Sequence, residues 1–309
     1  MVIELPETLD FNEHYEETAT HFAILRNAVR GRQTVKKLRF DNIRYISPSA
    51  ALVLASEVDR WNHAVKGKLR ADIGSWDLNI KRLLCQMGYF ELLKIPRPEE
   101  DTLTKGPTTF LQFKRGVLDQ KDGGRIAKEL RINIEEIVGQ QIQKQFLYEG
   151  LSEAITNVGQ HAYRHGSGFI LQNWWLSASY DADTSRLCVM FYDHGSGIPE
   201  TLPYADFFDK MRGFFSGWSD SDKIKAAMEI GRSATGKSER GKGLQNLLEF
   251  ARTHDEGQLT IYSLNGMYRR KYSTVNGSQT AEIEQKDHKI SIGGTLVEWY
   301  VQLQGNEKN

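Results

Sequence analysis

The sequence predicts an α/β protein made of two units, and three observations support this prediction. With 309 residues, the chain is long enough for one large domain or two of ordinary size. Residues 38–92 alternate between strand-like and helix-like patterns. Prolines, glycines and acidic residues then cluster over 96–107, a composition typical of a boundary. The expected division is a domain over 1–100, a linker over 101–124 and a second domain over 125–309.

In the first unit, the alternation of side chains over 38–46 predicts a strand. The pair Ser47–Pro48 follows, and a helix should start there because serine often caps helices and proline fits a first helical turn. A second strand is expected over 68–73. It should lead into a helix that buries apolar side chains over 80–87 and ends at Gly88.

The second unit begins with two helical patterns, over 125–138 and 141–162. Two strand-like runs follow, over 169–179 and 187–192, and they flank the turn composition of Asp181–Asp183. This combination predicts a β-hairpin.

The remainder of the chain predicts a lid, then a helix and two further strands of the sheet. Residues 199–240 contain short apolar runs and two glycine clusters, and the segment is longer than structural loops usually are. We therefore expect a functional lid, parts of which form short helices. A helix should follow Gly243, and strands are expected over 259–264 and 295–303, the first ending at the hairpin turn Asn265–Gly266.

Composition excludes some classes of function. The chain carries 40 Lys and Arg against 40 Asp and Glu, so no global field is available to hold nucleic acid or an anionic membrane. The two cysteines, Cys85 and Cys188, lie far apart in apolar segments, which favours reduced thiols over a disulfide framework. No signal pattern opens the sequence, and no apolar run approaches membrane-spanning length. We expect a soluble, cytoplasmic protein.

Three polar residues at a spacing of four predict a shared helix face: Glu153, Asn157 and His161. The amide oxygen of Asn157 is a hard ligand suited to Mg²⁺, which keeps several waters and takes other oxygens from phosphates. A carboxylate one turn earlier, that of Glu153, can orient a water or accept the proton of an attacking hydroxyl. A solvated helix face is the plain alternative, and the spacing alone does not exclude it.

Three later segments carry further chemistry. At Asp193 a strand ends on a carboxylate that can accept a hydrogen bond from an exocyclic amine, and Gly195 and Gly197 let the backbone approach a flat base, although an ordinary turn has the same composition. Over 236–244, glycines at a helix start expose N–H groups as an anion cradle reinforced by Lys and Arg; a flexible basic loop is the alternative. Thr295 adds a hydroxyl that can join Asp193.

In this order, the motifs resemble the GHKL fold, the ATP-binding fold shared by DNA gyrase B, the chaperone Hsp90, histidine kinases and the mismatch-repair protein MutL. The closest local likeness is to the anti-sigma-factor serine kinases. The resemblance covers about 150–303. It implies that Glu153 is catalytic, that Asn157 binds magnesium and that Asp193 binds adenine. The residues that it implies for the nucleotide are Asn157, His161, Asp193, Gly195, Gly197, Ile198, Lys237, Gly241, Lys242, Gly243, Leu244 and Thr295.

The resemblance also implies an architecture and an activity. The expected second domain is an α/β sandwich in which a mixed sheet is covered on one face by helices that hold Mg-ATP. The expected activity is that of an ATPase whose lid closure acts on a partner or on a dimer. A serine/threonine kinase acting on a STAS-domain partner is one alternative, and a module that binds ATP without turnover is another.

The first unit resembles, more faintly, a STAS domain, the fold of the antagonists that anti-sigma kinases phosphorylate. The likeness rests on Tyr45–Leu52 and on Ser75–Leu92. The usual Asp-Ser-Ser/Thr-Gly signature is absent, because Ser47–Pro48 replaces its first half and Ala50 its glycine. We therefore expect Ser49 to belong to a helix cap rather than to accept phosphate.

The expected cofactors are ATP and Mg²⁺. Besides ATP, the expected partner is a protein of the STAS-like, sigma-factor-like or defence-system kind, or a second copy of the chain; neither a membrane nor nucleic acid is expected. A zinc site at His161, His165 and His194 is less favoured, because no cysteine lies in these segments. Tryptophans could stack on bases, but a core role is commoner in strand-like segments, which contain Trp174, Trp175 and Trp299.

Overall fold

The computed structural model describes residues 2–31, 35, 37–64, 73–98, 106–117, 123–142, 144–158, 162–163, 172–201, 217–233 and 243–304. Within these ranges the α-helices are α1 (Tyr15–Arg30), α2 (Pro48–Ala64), α3 (Leu78–Met87), α4 (Tyr89–Leu93), α5 (Gly123–Val138), α6 (Lys144–Asn157), α7 (Ile198–Thr201), α8 (Asp220–Ser233) and α9 (Gly243–Arg252).

The strands divide between the two units. The first unit contains β1 (Val2–Glu4), β2 (Thr8–Leu9), β3 (Lys37–Arg39) and β4 (Tyr45–Ile46). The large sheet contains β5 (Thr108–Phe110), β6 (Lys114–Val117), β7 (Asn173–Asp181), β8 (Arg186–Asp193), β9 (Glu256–Ser263), β10 (Gly266–Val275), β11 (Ser278–Asp287) and β12 (Thr295–Gln302).

The large sheet has the strand order β11-β10-β9-β12-β8-β7-β5, and β6 also pairs with β7. All pairings of this sheet among the described residues are antiparallel, so the expectation of a mixed sheet is wrong. The reason is local: short turns join β7 to β8 and β9 to β10 to β11, and a short turn can only join antiparallel neighbours. β12 then enters between β8 and β9, antiparallel to both.

Both faces of the sheet are covered. Trp174 and Phe191 belong to a core that includes residues of α5, α6 and α9, whereas Trp175 and Tyr192 belong to a core shared with the first unit. Successive strand residues point to opposite faces. The helices of the second unit cover one face, as expected, and α2 of the first unit packs against β7 and β8 on the other face. Strands that are apolar on both sides need a layer on each side.

The first unit contains two small parallel sheets, in which β1 pairs with β3 and β2 with β4. The strand expected over 38–46 is interrupted, because a turn with Ile43 N–H donating to the Phe40 carbonyl at 3.1 Å separates β3 from β4. The helix expected after Ser47–Pro48 is confirmed as α2. Of the strand expected over 68–73, residues 68–72 lie outside the described residues.

The residues at its two ends fix the bounds of α3. The Asp77 carboxylate accepts from two backbone N–H groups at the helix start, and Gly88 ends the helix with φ of 96°. A left-handed conformation is easy for glycine because it has no Cβ. The predicted end at Gly88 is confirmed.

The second unit follows the predicted order with several differences. The hairpin of β7 and β8, the helix α5 and the final strand are confirmed. α6 is α-helical over Lys144–Asn157, Val158 and Ala162 are in π-helical conformation, and residues 159–161 lie outside the described residues. Part of the expected lid forms the 14-residue helix α8. The expected linker contributes β5 and β6, which pair with β7. Across the described residues, no helix combines the length and apolar character needed to cross a membrane.

Candidate functional site

The ends of three neighbouring strands bring Asp193, Thr295 and Ser263 together. Thr295 lies opposite Asp193 in the pairing of β12 with β8 and opposite Ser263 in the pairing of β12 with β9. The Ser263 and Thr295 hydroxyl oxygens are 2.9 Å apart. Because directly opposed residues point to the same face, these side chains lie on the side of Trp174, toward α6 and α9. The predicted pairing of Thr295 with Asp193 thus has a structural basis.

The carboxylate of Asp193 is buried, with 5% of the residue exposed. It accepts a hydrogen bond from the Gly195 N–H at 2.7 Å. Burial raises the pKa of Asp193 to about 7, although the bond from Gly195 opposes this shift. Among the described residues no cation pairs with this carboxylate. A buried acceptor without a counter-charge is typical of ligand sites.

The loop after Asp193 passes too close to its neighbours for most side chains. A Cβ at Gly195 would lie 2.5 Å from the Ala162 Cβ and 2.7 Å from the Ala162 carbonyl oxygen, and Gly197 has φ of +85°. The Ser196 N–H donates to that same Ala162 carbonyl at 2.7 Å. The Ile198 N–H donates to the Ser263 hydroxyl at 2.9 Å. The glycines therefore allow the loop to be fixed to the segment after α6 and to β9.

Tyr163 is a contributor that the sequence analysis missed. Its hydroxyl donates to the Asn173 carbonyl at 2.7 Å and accepts from the His194 N–H at 3.1 Å. Burial raises the pKa of Tyr163, and the nearby Asp193 carboxylate adds to that effect. The signal was available, because Tyr163 extends the apolar stripe of the predicted helix by two turns beyond Ile155.

Glu153 and Asn157 lie one turn apart on α6, as predicted, and their side chains are hydrogen-bonded. Both are half-buried. Burial raises the pKa of Glu153, and the bond from Asn157 partly offsets the increase. The pair therefore provides a held amide oxygen and a carboxylate more basic than one in water.

The remaining predicted residues divide into two groups. Gly243 begins α9, in agreement with the predicted helix start. Leu244 follows on this helix, but its side chain lies outside the described residues. Four predicted positions also lie outside the described residues: His161, Lys237, Gly241 and Lys242.

Comparison with known proteins gives no family. No family model matches the chain, and no curated protein is significantly similar to it in sequence.

The donor set fits magnesium held through phosphates better than a metal held by protein alone. In the described part of the chain, no group of three or more His, Cys, Asp or Glu side chains could hold a metal ion. Asn157 and Glu153 offer oxygen atoms to a hydrated ion, which matches the preference of Mg²⁺. Of the histidines in the zinc alternative, His194 contacts Ser56 of α2 and the Trp175 ring, on the face opposite Asp193. His161 and His165 lie outside the described residues.

His194 connects the candidate site to the first unit. Its Nε2 lies 3.1 Å from the Ser56 hydroxyl and 4.0 Å from a Glu57 carboxylate oxygen. Burial, together with the positive charges of Arg60 and Arg26, lowers the pKa of His194, so the ring is neutral near pH 7. His194, the residue next to the buried Asp193, is thus held in place by its contacts with α2.

The tryptophans have the core role that the sequence favoured. Trp174, Trp175 and Trp299 are each at most 2% exposed. Trp299 donates from its indole N–H to the Leu247 carbonyl on α9 at 2.8 Å. In this conformation these three rings are not accessible to nucleic-acid bases.

Proposed function

We propose that this protein binds ATP in a magnesium-dependent manner and hydrolyses it, with closure over the nucleotide acting on a partner or on a second copy of the chain. The buried carboxylate of Asp193 carries the proposal. Among the residues that the structure describes, one hydrogen bond reaches it, no cation pairs with it, and a threonine lies opposite it on β12. An exocyclic amine of adenine is the kind of donor that this arrangement suits.

The glycine loop supports the same proposal. Gly195 and Gly197 bring the backbone close to Ala162 and to Ser263 next to the Asp193 carboxylate. The loop is fixed by backbone hydrogen bonds, so a base would meet a preformed edge. These features support a flat ring next to the carboxylate.

The charge and position of Asn157 and Glu153 on α6 suggest a role for each of them. Asn157 would supply an amide oxygen to magnesium, and the bound ion would neutralise charge on the phosphates. Glu153, whose basicity is increased by burial, would accept a proton from the attacking water. The hydrogen bond from Asn157 holds the Glu153 carboxylate in a defined orientation.

The contact between His194 and Ser56 offers a route from nucleotide to partner. His194, which follows Asp193 in the chain, contacts Ser56 of α2 directly, so nucleotide bound at Asp193 would lie one residue from a contact with the first unit. Nucleotide binding can change the first unit only if the open and closed forms bind ATP unequally. The proposal therefore includes a first unit that responds to nucleotide state.

The test uses the purified chain, magnesium and ATP labelled at the terminal phosphate. We expect labelled free phosphate from the unaltered chain and loss of about a hundredfold or more of that turnover in Glu153→Gln, with ATP binding retained. Asn157→Ala should weaken binding only when magnesium is present. Glu129→Gln, an exposed helix carboxylate paired with Arg125, is the matched control and should behave like the unaltered chain.

Three other results would change the conclusion. Label transferred to a STAS-domain protein would favour the kinase alternative. ATP binding with neither free phosphate nor labelled protein would favour the non-hydrolysing module. An absence of heat from ATP with saturating magnesium in calorimetry would overturn the proposed site altogether.

A further inference from the structure

A second cleft, of about 560 Å³, lies on the face of the sheet that the first unit covers. The apolar half of this face, which includes Leu296 and Tyr192, is buried under the first unit. The other half continues along β12 through Glu298 and Tyr300 and forms part of the cleft lining. The loop over 8–14 and the segment from Tyr45 line it from the first unit. This cleft is separate from the candidate nucleotide site, because Asp193 and Thr295 face the opposite side.

Glu298 is the distinctive residue of this cleft. It is 5% exposed, and its carboxylate accepts a hydrogen bond from the Ser49 hydroxyl. Ser49 is itself buried and lies 3.2 Å, oxygen to oxygen, from Ser47, which also lines the cleft. The burial of Ser49 means that its hydroxyl is not open to a kinase in this conformation.

No cation in the described part of the chain forms an ion pair with Glu298. Arg269, whose positive charge acts on Glu298, is already engaged by other groups: it bonds the Glu284 carboxylate at 2.8 Å and the Asn12 side-chain oxygen at 2.6 Å. Burial raises the pKa of Glu298 to about 7, and the nearby Asp10 charge adds to this effect, while the bond from Ser49 and the Arg269 charge oppose it.

A carboxylate in this position lowers stability. Burying a carboxylate without an ion-pair partner lowers the free energy of unfolding, and an apolar residue of similar size would fit the neighbouring Leu296 better. Groups of this kind are concentrated at functional sites. The cleft gives the carboxylate access to a ligand from outside.

We propose that this cleft binds an organic cation, an alkylammonium or guanidinium group, with Glu298 as its counter-ion. Tyr45 and Tyr300 line the same cleft, and aromatic rings attract cations. Asp10 and Glu13 add negative charge on the side of the first unit. A bare metal ion fits less well, since the described residues contain no three-ligand cluster and the volume is that of a small-molecule site.

Besides Arg269, two more Arg or Lys side chains line the cleft farther along the sheet. Arg186 is opposite Gln302, two positions beyond Tyr300 on β12, and Lys271 is opposite Gln258 on β9. The cation can belong to a free amine or to a basic side chain of another protein, and the chemistry recognised by Glu298 is the same in both cases.

The test is calorimetric titration of the full chain without nucleotide, so that it is independent of the proposed ATP site. Agmatine represents a free organic cation, and the peptide acetyl-Gly-Arg-Gly-amide represents a protein side chain. Glutarate represents an anion of similar size. We expect heat from at least one of the two cations and none from glutarate.

The decisive variant is Glu298→Gln, which keeps the shape and the bond to Ser49 but removes the charge. It should bind the cation about tenfold more weakly or worse, with folding confirmed by thermal melting. Glu4→Gln, an exposed strand carboxylate paired with Arg39 outside the cleft, is the matched control and should bind normally. Tyr45→Ala, which alters only a half-exposed cleft ring, should also weaken binding and provides a second test if Glu298→Gln does not fold.

Binding by agmatine would identify a free cation as the ligand, and binding by the peptide alone would identify a partner's side chain. If neither cation binds, or if Glu298→Gln binds as well as the unaltered chain, the proposal is wrong. Preferential binding of glutarate would also overturn it.

Discussion

At the scale of single residues, the buried carboxylate of Asp193 lowers the free energy of unfolding at neutral pH. A carboxylate whose pKa is raised from 3.8 to about 7 binds its proton more tightly in the folded state. Its contribution to the free energy of unfolding is therefore fully present below about pH 4 and is lost as the pH rises to about 7. At neutral pH and above, the ionised group is a net cost on the order of a few kcal/mol.

Because the ionised carboxylate of Asp193 lowers the free energy of unfolding at neutral pH, removing its charge in Asp193→Asn should raise it. The substitution keeps an oxygen that accepts from Gly195 and removes the buried charge. We expect the variant to be at least as stable as the unaltered chain at pH 8, with its advantage increasing between pH 4 and pH 8, while ATP binding is lost. Urea unfolding at several pH values and calorimetry with ATP measure the two effects.

The matched control for this prediction is Asp181→Asn. Hydrogen bonds from Thr184 and Thr108 lower the pKa of Asp181, so its stabilising effect is present at neutral pH and is lost as the pH falls below its ordinary range. This control should therefore lose stability at pH 8, opposite in sign to Asp193→Asn. Equal pH dependence in the two variants would contradict the assignment of a buried charge to Asp193.

At the scale of elements, the helix layer is positioned by close backbone contacts at glycine. A Cβ at Gly257 on β9 would lie 1.9 Å from the Ala251 carbonyl oxygen near the end of α9. By contrast, a Cβ at Gly150, in the middle of α6, would meet its nearest atom at 3.7 Å. The same substitution should therefore have opposite effects at the two positions.

We predict that Gly257→Ala lowers the free energy of unfolding by about 1–3 kcal/mol, because α9 must move away from the sheet. Gly150→Ala should raise it by about 0.5–1 kcal/mol, since alanine favours the helix and the space is free. Chemical denaturation of the two variants checks both signs. A neutral Gly257→Ala would mean that α9 is not in direct contact with β9.

At the scale of the whole molecule, buried charges join the first unit to the large sheet. The Arg26 guanidinium donates to the Ile292 carbonyl at 2.6 Å and to the Ser291 carbonyl at 2.9 Å, and it lies 3.5 Å from Glu57. Glu57 is fully buried and also lies 3.5 Å from Arg60. Together with the shared apolar core, these contacts predict that the two units unfold together.

Arg26→Met tests this coupling. The variant leaves two carbonyl groups without their donor and removes one cation from Glu57, so we expect a loss of about 3–5 kcal/mol. Hydrogen exchange should increase in α5 and α6 as well as in α1 and α2. Arg39→Met, which breaks only exposed pairs with Glu4 and Asp41, should leave the free energy of unfolding essentially unchanged. Faster exchange confined to α1 and α2 would show that the units unfold separately.

The sequence by itself determined the local elements of this protein. The cap at Asp77, the stop at Gly88 and the hairpin of β7 and β8 each depend on a few neighbouring residues, and propensity and periodicity act over that range. The face shared by Glu153 and Asn157 is of the same kind, since one helical turn fixes it.

Only the tertiary structure decided which distant residues meet. The entry of β12 between β8 and β9 places Thr295 opposite Asp193, and the first unit on the second face turns Glu298 from an exposed strand residue into a buried one. Strand order and layer packing depend on contacts between residues far apart in the sequence, as with Thr295 and Asp193, and a local pattern contains no signal for them. Residue spacing therefore did not predict the strand order or the layer on the second face of the sheet, although Asp193 and Thr295 were identified as a candidate pair.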